Sequence, residues 1–186
     1  MHENELWQVF NDNGSPIIGK GATTDEFKAD PHMIMGNVHV WFWKKSGNNI
    51  AILLQKRSLT KSTMPGWYHI SASGHINVGE SSLQAALRET EEEMGISLDE
   101  SKLHYVQSTR IIARAPNDIK NVYLYRLTGE EKFTYTDGEV GSLEWRTLDN
   151  FKEICKDAEN NKLINMGSLY FDTLITSLEY IVSTDS

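Results

Sequence analysis

Residues 74–96 read GHINVGESSLQAALRETEEEMGI. A glycine-flanked loop, 74–80, leads into a helix expected over about 82–94. Ser81 or Ser82 supplies the N-cap, because a hydroxyl there accepts from an orphan backbone N–H. Gly95 stands just past the last helical residue, where a left-handed conformation favours glycine. Leu83, Ala86, Leu87, Thr90 and Met94 repeat at i, i+3, i+4, i+7 and i+11, a mostly apolar stripe that packs on the rest of the domain. At about 100° per residue, Glu89, Glu92 and Glu93 fall on another arc, with Ala85 beside them leaving space. No Lys or Arg stands on that arc; Arg88 and Glu80 lie at its margins, where either can orient the cluster. Carboxylates at these spacings repel by roughly a few tenths of a kcal/mol per pair. An acidic run is ordinarily a solvated face. A divalent cation turns the repulsion into coordination, and Mg2+ suits such a site, since it takes one or two carboxylates and bridges to substrate phosphates.

The residues around the acidic run decide between these readings. The pattern G-x5-E-x7-R-E-U-x-E-E-x-G-U, with U apolar, is met by Gly74, Glu80, Arg88, Glu89, Glu92, Glu93, Gly95 and Ile96. It resembles the signature of the Nudix hydrolases. Thr90 departs from it, standing where that family carries an aliphatic residue, but it lies on the packing stripe and not among the carboxylates. The resemblance implies an α/β (α+β) fold, an α/β/α sandwich with a mixed β-sheet between helices. It also implies a metal set of Glu89, Glu92, Glu93 and the Gly74 backbone carbonyl, with Mg2+ expected and Mn2+ as the alternative.

The 186 residues, 39% hydrophobic and 24% charged, suffice for one domain with a real core, expected over 1–186. A net charge of −8 weighs against a broad nucleic-acid or anionic-membrane surface. It does not weigh against phosphate substrates, because a bound metal inverts the local sign. The single cysteine, Cys155, excludes an intrachain disulfide and fits a reducing compartment. Near Phe151 and Ile154, on an expected helix, it reads as a packed thiol. The first residues lack a basic-then-apolar signal pattern, and no apolar run approaches the ~18 residues of a membrane span. A cytoplasmic location is expected.

The chain opens with an expected hairpin, 5–21, turned by Asn11-Asp12-Asn13-Gly14. Glu5, Trp7, Val9, Asn11 and Gly14 resemble the opening hairpin of Nudix proteins related to isopentenyl-diphosphate isomerase. Residues 24–31 read as a loop. Strands are expected over 33–43, carrying His39 as a strand histidine, over 50–55, and over 68–73, which delivers Gly74. Beyond the helix, strands are expected over 102–113 and 119–127, separated by a turn at Ala115-Pro116-Asn117-Asp118, then over 133–136 and 143–146. Asp149 caps a helix through about 158, and residues 157–161 make a polar break. Phe171, Leu174, Ile175, Leu178, Ile181 and Val182 mark a C-terminal amphipathic helix, about 168–182, whose apolar face packs on the core or makes a dimer contact.

Residues 55–67 also resemble the family's lead into the motif. Arg57 and Lys61, with Lys56, are candidates to hold substrate phosphate oxygens or are surface cations at a strand end. Trp67 and Tyr68 either stack on a base or anchor the core. In related sequences a loop glutamate about six residues before a tryptophan assists the metals or the attacking water, and Glu139 precedes Trp145 at that spacing. The resemblance thus implies metal-dependent hydrolysis of a nucleoside diphosphate linked to another group, or of a similar organic diphosphate. Arg88 would orient a helix carboxylate, and Glu89 or Glu139 would be the general base. The expected partner is this small-molecule diphosphate, with no nucleic acid or membrane, in a monomer or homodimer. Two alternatives remain: an isopentenyl-diphosphate isomerase-like enzyme and a non-catalytic nucleotide-sensing module. The isomerases carry a cysteine directly before the motif's Gly-His, where this chain has Ser73, a much poorer proton donor or acceptor. A mere sensor need not keep the carboxylates.

Overall fold

A computed structural model describes residues 5–111, 117–135 and 138–184. The hairpin consists of β1 (Trp7–Phe10) and β2 (Pro16–Ala22). Its turn is set by the Asn11 side chain, whose Oδ1 accepts from the backbone N–H of Asn13 and Ser15 at 3.1 and 3.2 Å. The expected loop at 24–31 contains instead a short helix, α1 (Thr24–Ala29). A reciprocal capping box starts it: Thr23 Oγ1 accepts from Glu26 N, and the Glu26 carboxylate accepts from Thr23 N at 2.7 Å. One fully buried residue, Phe27, anchors it, too little apolar content for a periodic signal.

The long strands β3 (Ile34–Ser46) and β4 (Asn49–Arg57) form an antiparallel hairpin through Gly47, whose φ of +58° suits glycine. Their pairing runs from Ser46↔Asn49 to Trp43↔Ile52. Beyond that point the expected strand 68–73 enters as two pieces. β5 (Tyr68–His69) pairs with β4, and β6 (Ala72–His75) pairs with β3. Ser71, fully buried at the fork, donates to Leu53 O at 2.6 Å and accepts from Phe42 N at 3.0 Å. Its hydroxyl thus satisfies one backbone group of each parting strand.

After the signature helix α2 (Ser82–Met94), a short 3-10 turn, Glu100–Lys102, leads into β7 (Leu103–Ile111). β8 (Asn117–Arg126) lies antiparallel to β7 and parallel to β3, from Ile34↔Asn117 to Trp43↔Arg126. Asn117 and Asp118, expected in a turn, open this strand; the rest of that turn and the end of the strand expected over 102–113 lie outside the described residues. Residues 133–135 form no strand. Thr134 N donates to Met94 O at 2.9 Å, so this segment closes the C-terminus of α2. Thr136 and Asp137 lie outside the described residues. β9 (Val140–Thr147) is longer than expected because it pairs along β4 from Arg57↔Val140 to Ala51↔Thr147. The N-cap of α3 (Leu148–Lys156) is Thr147, not Asp149, which sits in the first turn. α4 (Ser168–Thr184) ends the described chain.

α2 covers one face of the mixed sheet, where Ala85, Ala86 and Met94 meet Val38, Val40, Phe42 and Leu53. α3 and α4 cover the other, where Phe151, Leu174 and Leu178 meet Trp41, Trp43, Ile52 and Leu54. Cys155 packs beside this second cluster, and burial pushes its thiol up to about 12. The expected sandwich is therefore present. Among the described residues no helix is long and apolar enough to cross a membrane.

Candidate active site

Ser81 caps α2: its hydroxyl accepts from Gln84 N, and its N–H donates to Gln84 Oε1 at 2.9 Å. Gly95 ends the helix at φ +67°. Between them Arg88 organises the carboxylates. Its Nε and Nη2 clasp the two oxygens of Glu80, both at 2.9 Å, and Nη1 donates to Glu89 at 2.7 Å and Glu92 at 3.1 Å. The remaining Nη2–H donates to the His75 carbonyl at 2.8 Å. All five guanidinium donors are thus engaged. Arg88 is the hub of the cluster, not a residue at its margin, and these bonds raise its already high pKa further. Ala85 is buried in the core, not beside an open space.

Burial raises the Glu89 carboxyl to about 7, aided by the charges of Glu92 and Glu80 and opposed by Arg88. Gly74 makes room for that carboxylate: a Cβ at Gly74 would lie 1.9 Å from its carboxyl carbon. Glu93 accepts from Ser73 N at 2.9 Å. Ile76 N bonds Gly36 O, so every second residue of β6 turns its backbone groups to β3. By this alternation Gly74 directs its N–H and C=O into the ladder. Ser73 and His75 direct theirs to the free edge where Arg88 and Glu93 stand. The carbonyl aimed at the carboxylates from this part of the strand is therefore that of Ser73, whereas Gly74, expected as the backbone ligand, contributes its missing side chain.

Among the described residues no three His, Cys, Asp or Glu side chains already converge as a metal set. Even so, the donors fit a hard cation. They are carboxylate oxygens with a backbone carbonyl alongside, and Glu89 is buried where only Arg88 offsets its charge.

The expected phosphate cations are partly engaged. Arg57 holds the loop at 58–66 by donating from Nε to Thr63 O and from Nη2 to Thr63 Oγ1, both at 3.2 Å. Lys61 pairs with Glu139 at 2.7 Å, joining a candidate cation to the candidate base. The backbone N–H of Arg57 donates to the carbonyl of Trp67, whose ring is half-buried. Tyr68 does not offer a stacking face: Lys56 and Arg146 lie over its ring, and its hydroxyl donates to Glu144 at 2.9 Å.

Burial, with the charges of Arg57, Lys120 and Lys61, lowers His69 to about 3; burial, Lys120 and Arg88 lower His75 to about 4. Both are neutral rings at physiological pH. His39 is buried against Tyr170, whose hydroxyl accepts from Trp41 Nε1 and shares a hydrogen bond with His39 Nδ1, each at 2.8 Å. Two residues absent from the sequence reading belong to the site. Gln8, buried in β1, accepts from Gly79 N at 3.2 Å and so ties the motif loop to the hairpin. Lys120 interrupts a face otherwise carried on by Val122 and Leu124, and that break in alternation was its available signal.

The NUDIX domain family model matches residues 33–165. An uncharacterised Nudix hydrolase of Clostridium acetobutylicum is 30% identical over 146 residues, covering 76% of this chain and 69% of that protein. An isopentenyl-diphosphate Delta-isomerase of Photorhabdus laumondii is 29% identical over 186 residues, covering 95% and 94%. A solved structure from Deinococcus radiodurans, 18% identical, superposes with a TM-score of 0.66 over 91% of this chain and 97% of that one, which shows a shared fold. The first curated relatives differ widely in size, and the chain spans 16%, 69% and 53% of their lengths.

Proposed function

This chain belongs to the Nudix hydrolase family, and on that premise we propose that it hydrolyses a diphosphate joining a nucleoside to another group, or a similar organic diphosphate, with Mg2+. Water forms a bond to phosphorus, the phosphoanhydride P–O bond breaks, and two phosphate products and a proton leave. The observation that carries this reading is the acidic cluster built around Gly74, Arg88 and the largely buried Glu89. Nudix hydrolases generally use a divalent metal. Glu89, Glu92, Glu93 and the Ser73 carbonyl would hold it here. When bound, the ion supplies Lewis acidity and neutralises developing charge on the phosphoryl oxygens.

The chain's own residues do the rest. Glu80 and the His75 carbonyl fix the Arg88 guanidinium, which in turn positions Glu89. Glu89 is the favoured general base over Glu139, because it stands within the carboxylate cluster on Arg88 while Glu139 is engaged by Lys61. Arg57 holds the diphosphate, with Lys61 joining once Glu139 releases it. The isomerase reading has its support in the Photorhabdus relative. Against it stands Ser73, whose hydroxyl lies 3.4 Å from the neutral ring of His69 and lacks the acidity that proton transfer to carbon requires. The test is hydrolysis of organic diphosphates with Mg2+ or with EDTA. Glu92→Gln and Glu93→Gln are each expected to lower kcat by about 10²-fold while folding is retained. Full activity in EDTA, or wild-type rates from both variants, would refute the reading.

A further inference from the structure

We propose that a polar row crossing the sheet from the free edge of β6 is the subsite for the organic group carried on the diphosphate, and that Lys120 there binds a hydroxylated, sugar-like group. This rests on the hydrolase reading above. His75 of β6, Asn37 of β3, Lys120 of β8 and Thr109 of β7 stand opposite one another in register. Opposed residues share a face, and adjacent strands lie about 4.8 Å apart, so the row spans about 14 Å. Farther along the same strands this face becomes apolar, with Trp41, Trp43, Val122 and Leu124 packed under the helices. At its near end the row meets the free edge of β6, where the His75 carbonyl accepts from Arg88, while Glu89 lies at Gly74 on the other face of that strand. The charges of Lys120, Arg88 and Glu139 all act on the His75 ring, so an organic arm that passes round this edge from a diphosphate at the carboxylates meets the row.

The hydrogen-bonding groups of the row select the chemistry of that arm. Lys120, 13% exposed, bonds Asp118 Oδ2 at 2.5 Å, and Asn37 Nδ2 donates to the same oxygen at 3.4 Å. Asp118 Oδ1 is buried with no hydrogen-bond partner among the described residues. The ammonium has three donors and, among the described residues, one bonded acceptor, so donor capacity remains beside an unused acceptor. The Lys120–Asp118 pair is electrically neutral and adds no net charge for a further phosphate. A donor next to an acceptor complements vicinal hydroxyls, one accepting from Lys120 and its neighbour donating to Asp118 after a small turn of the carboxylate. A nucleobase would need a free aromatic face, and the ring of Trp7 is already stacked on His75, with centroids 3.7 Å apart.

The test is calorimetric titration of the full chain with Mg2+, using the α,β-methylene analogue of ADP-ribose and, as the probe without sugar, methylenediphosphonate. Lys120→Met should weaken the first by roughly tenfold or more and leave the second within about twofold. Lys120→Arg should recover part of the loss, and Asp118→Asn should lose selectively for the sugar-bearing probe. Thermal unfolding reports whether each variant folds; should Lys120→Met not fold, the other two variants decide. Equal losses on both probes, no loss on either, or failure of the wild type to bind the sugar-bearing probe would overturn the proposal. Lys120-dependent binding of that probe without hydrolysis of any diphosphate would refute the hydrolase reading and leave the subsite standing.

Discussion

Gly74→Ala places a methyl group where the Glu89 carboxylate now lies. The new Cβ would stand 1.9 Å from the carboxyl carbon and 2.1 and 2.2 Å from its oxygens, whereas ordinary contact begins at 3.4 Å. The carboxylate, at the end of a flexible side chain, must retreat by about 1.5 Å, and it then leaves Arg88 Nη1, now at 2.7 Å. A charge-assisted hydrogen bond contributes about 1.5–3 kcal/mol, and Glu89, with its side chain 14% exposed, is little screened by solvent. Alanine offsets part of that, about 0.4–1 kcal/mol, by restricting the unfolded chain. The expected net loss is about 1–2 kcal/mol, which for a domain of this size lowers Tm by roughly 2–8 °C and leaves it folded. Activity should suffer far more, because misplacing a catalytic group by about 1 Å costs on the order of 10² in rate. The assay pairs thermal unfolding with kcat/KM on a diphosphate substrate in Mg2+. A folded Gly74→Ala protein with kcat/KM within about threefold of wild type would refute the reasoning, since Glu89 would then not need its present position.

Two further outcomes are expected. Burial holds the Glu89 carboxyl at about 7 in the folded state, against its ordinary 4.5, so between these values the folded state binds more protons than the unfolded one. Its contribution therefore makes the metal-free protein less stable as pH rises from about 4.5 to about 7, and Glu89→Gln should flatten urea-unfolding free energies over that window; an unchanged slope would contradict the burial argument. Arg57→Ala should raise KM by roughly tenfold with kcat largely retained, through loss of phosphate contact and loosening of the loop at 58–66; unchanged steady-state kinetics would return Arg57 to a structural role at Thr63.

The parts of the fold legible in the sequence were those governed by local chemistry. The signature helix ran as read because its cap, its apolar period and Gly95 all lie within one stretch. The short α1 was missed because its capping box carries almost no apolar period, and Phe27 alone anchors it. The fork at Ser71 was illegible for a different reason. A single strand and a split one have the same local pattern, and only the parting of β3 from β4 gives Ser71 its two backbone partners. The same division holds for the site. Spacing placed Glu89, Glu92, Glu93 and Arg88 together, but not the backbone direction of Gly74, which depends on its pairing with Val38. Lys120 reaches the site only through the register of β8 against β3, strands some eighty positions apart. Nothing local to Arg57, Lys61 or Glu139 shows their partners, because the folded chain pairs Lys61 with Glu139 across 78 positions and ties Arg57 to Thr63 through the turn of the loop.

The central claim, that water attacks phosphorus, is tested most directly by incubating the protein with Mg2+ in 18O-enriched water, with ADP-ribose and isopentenyl diphosphate as separate substrates, and reading the products by mass spectrometry. The account predicts cleavage of the nucleoside-linked diphosphate, with one 18O atom in one of the two phosphate products and none after EDTA treatment. Conversion of isopentenyl diphosphate to dimethylallyl diphosphate with the diphosphate intact, and no 18O in any phosphate, would contradict it.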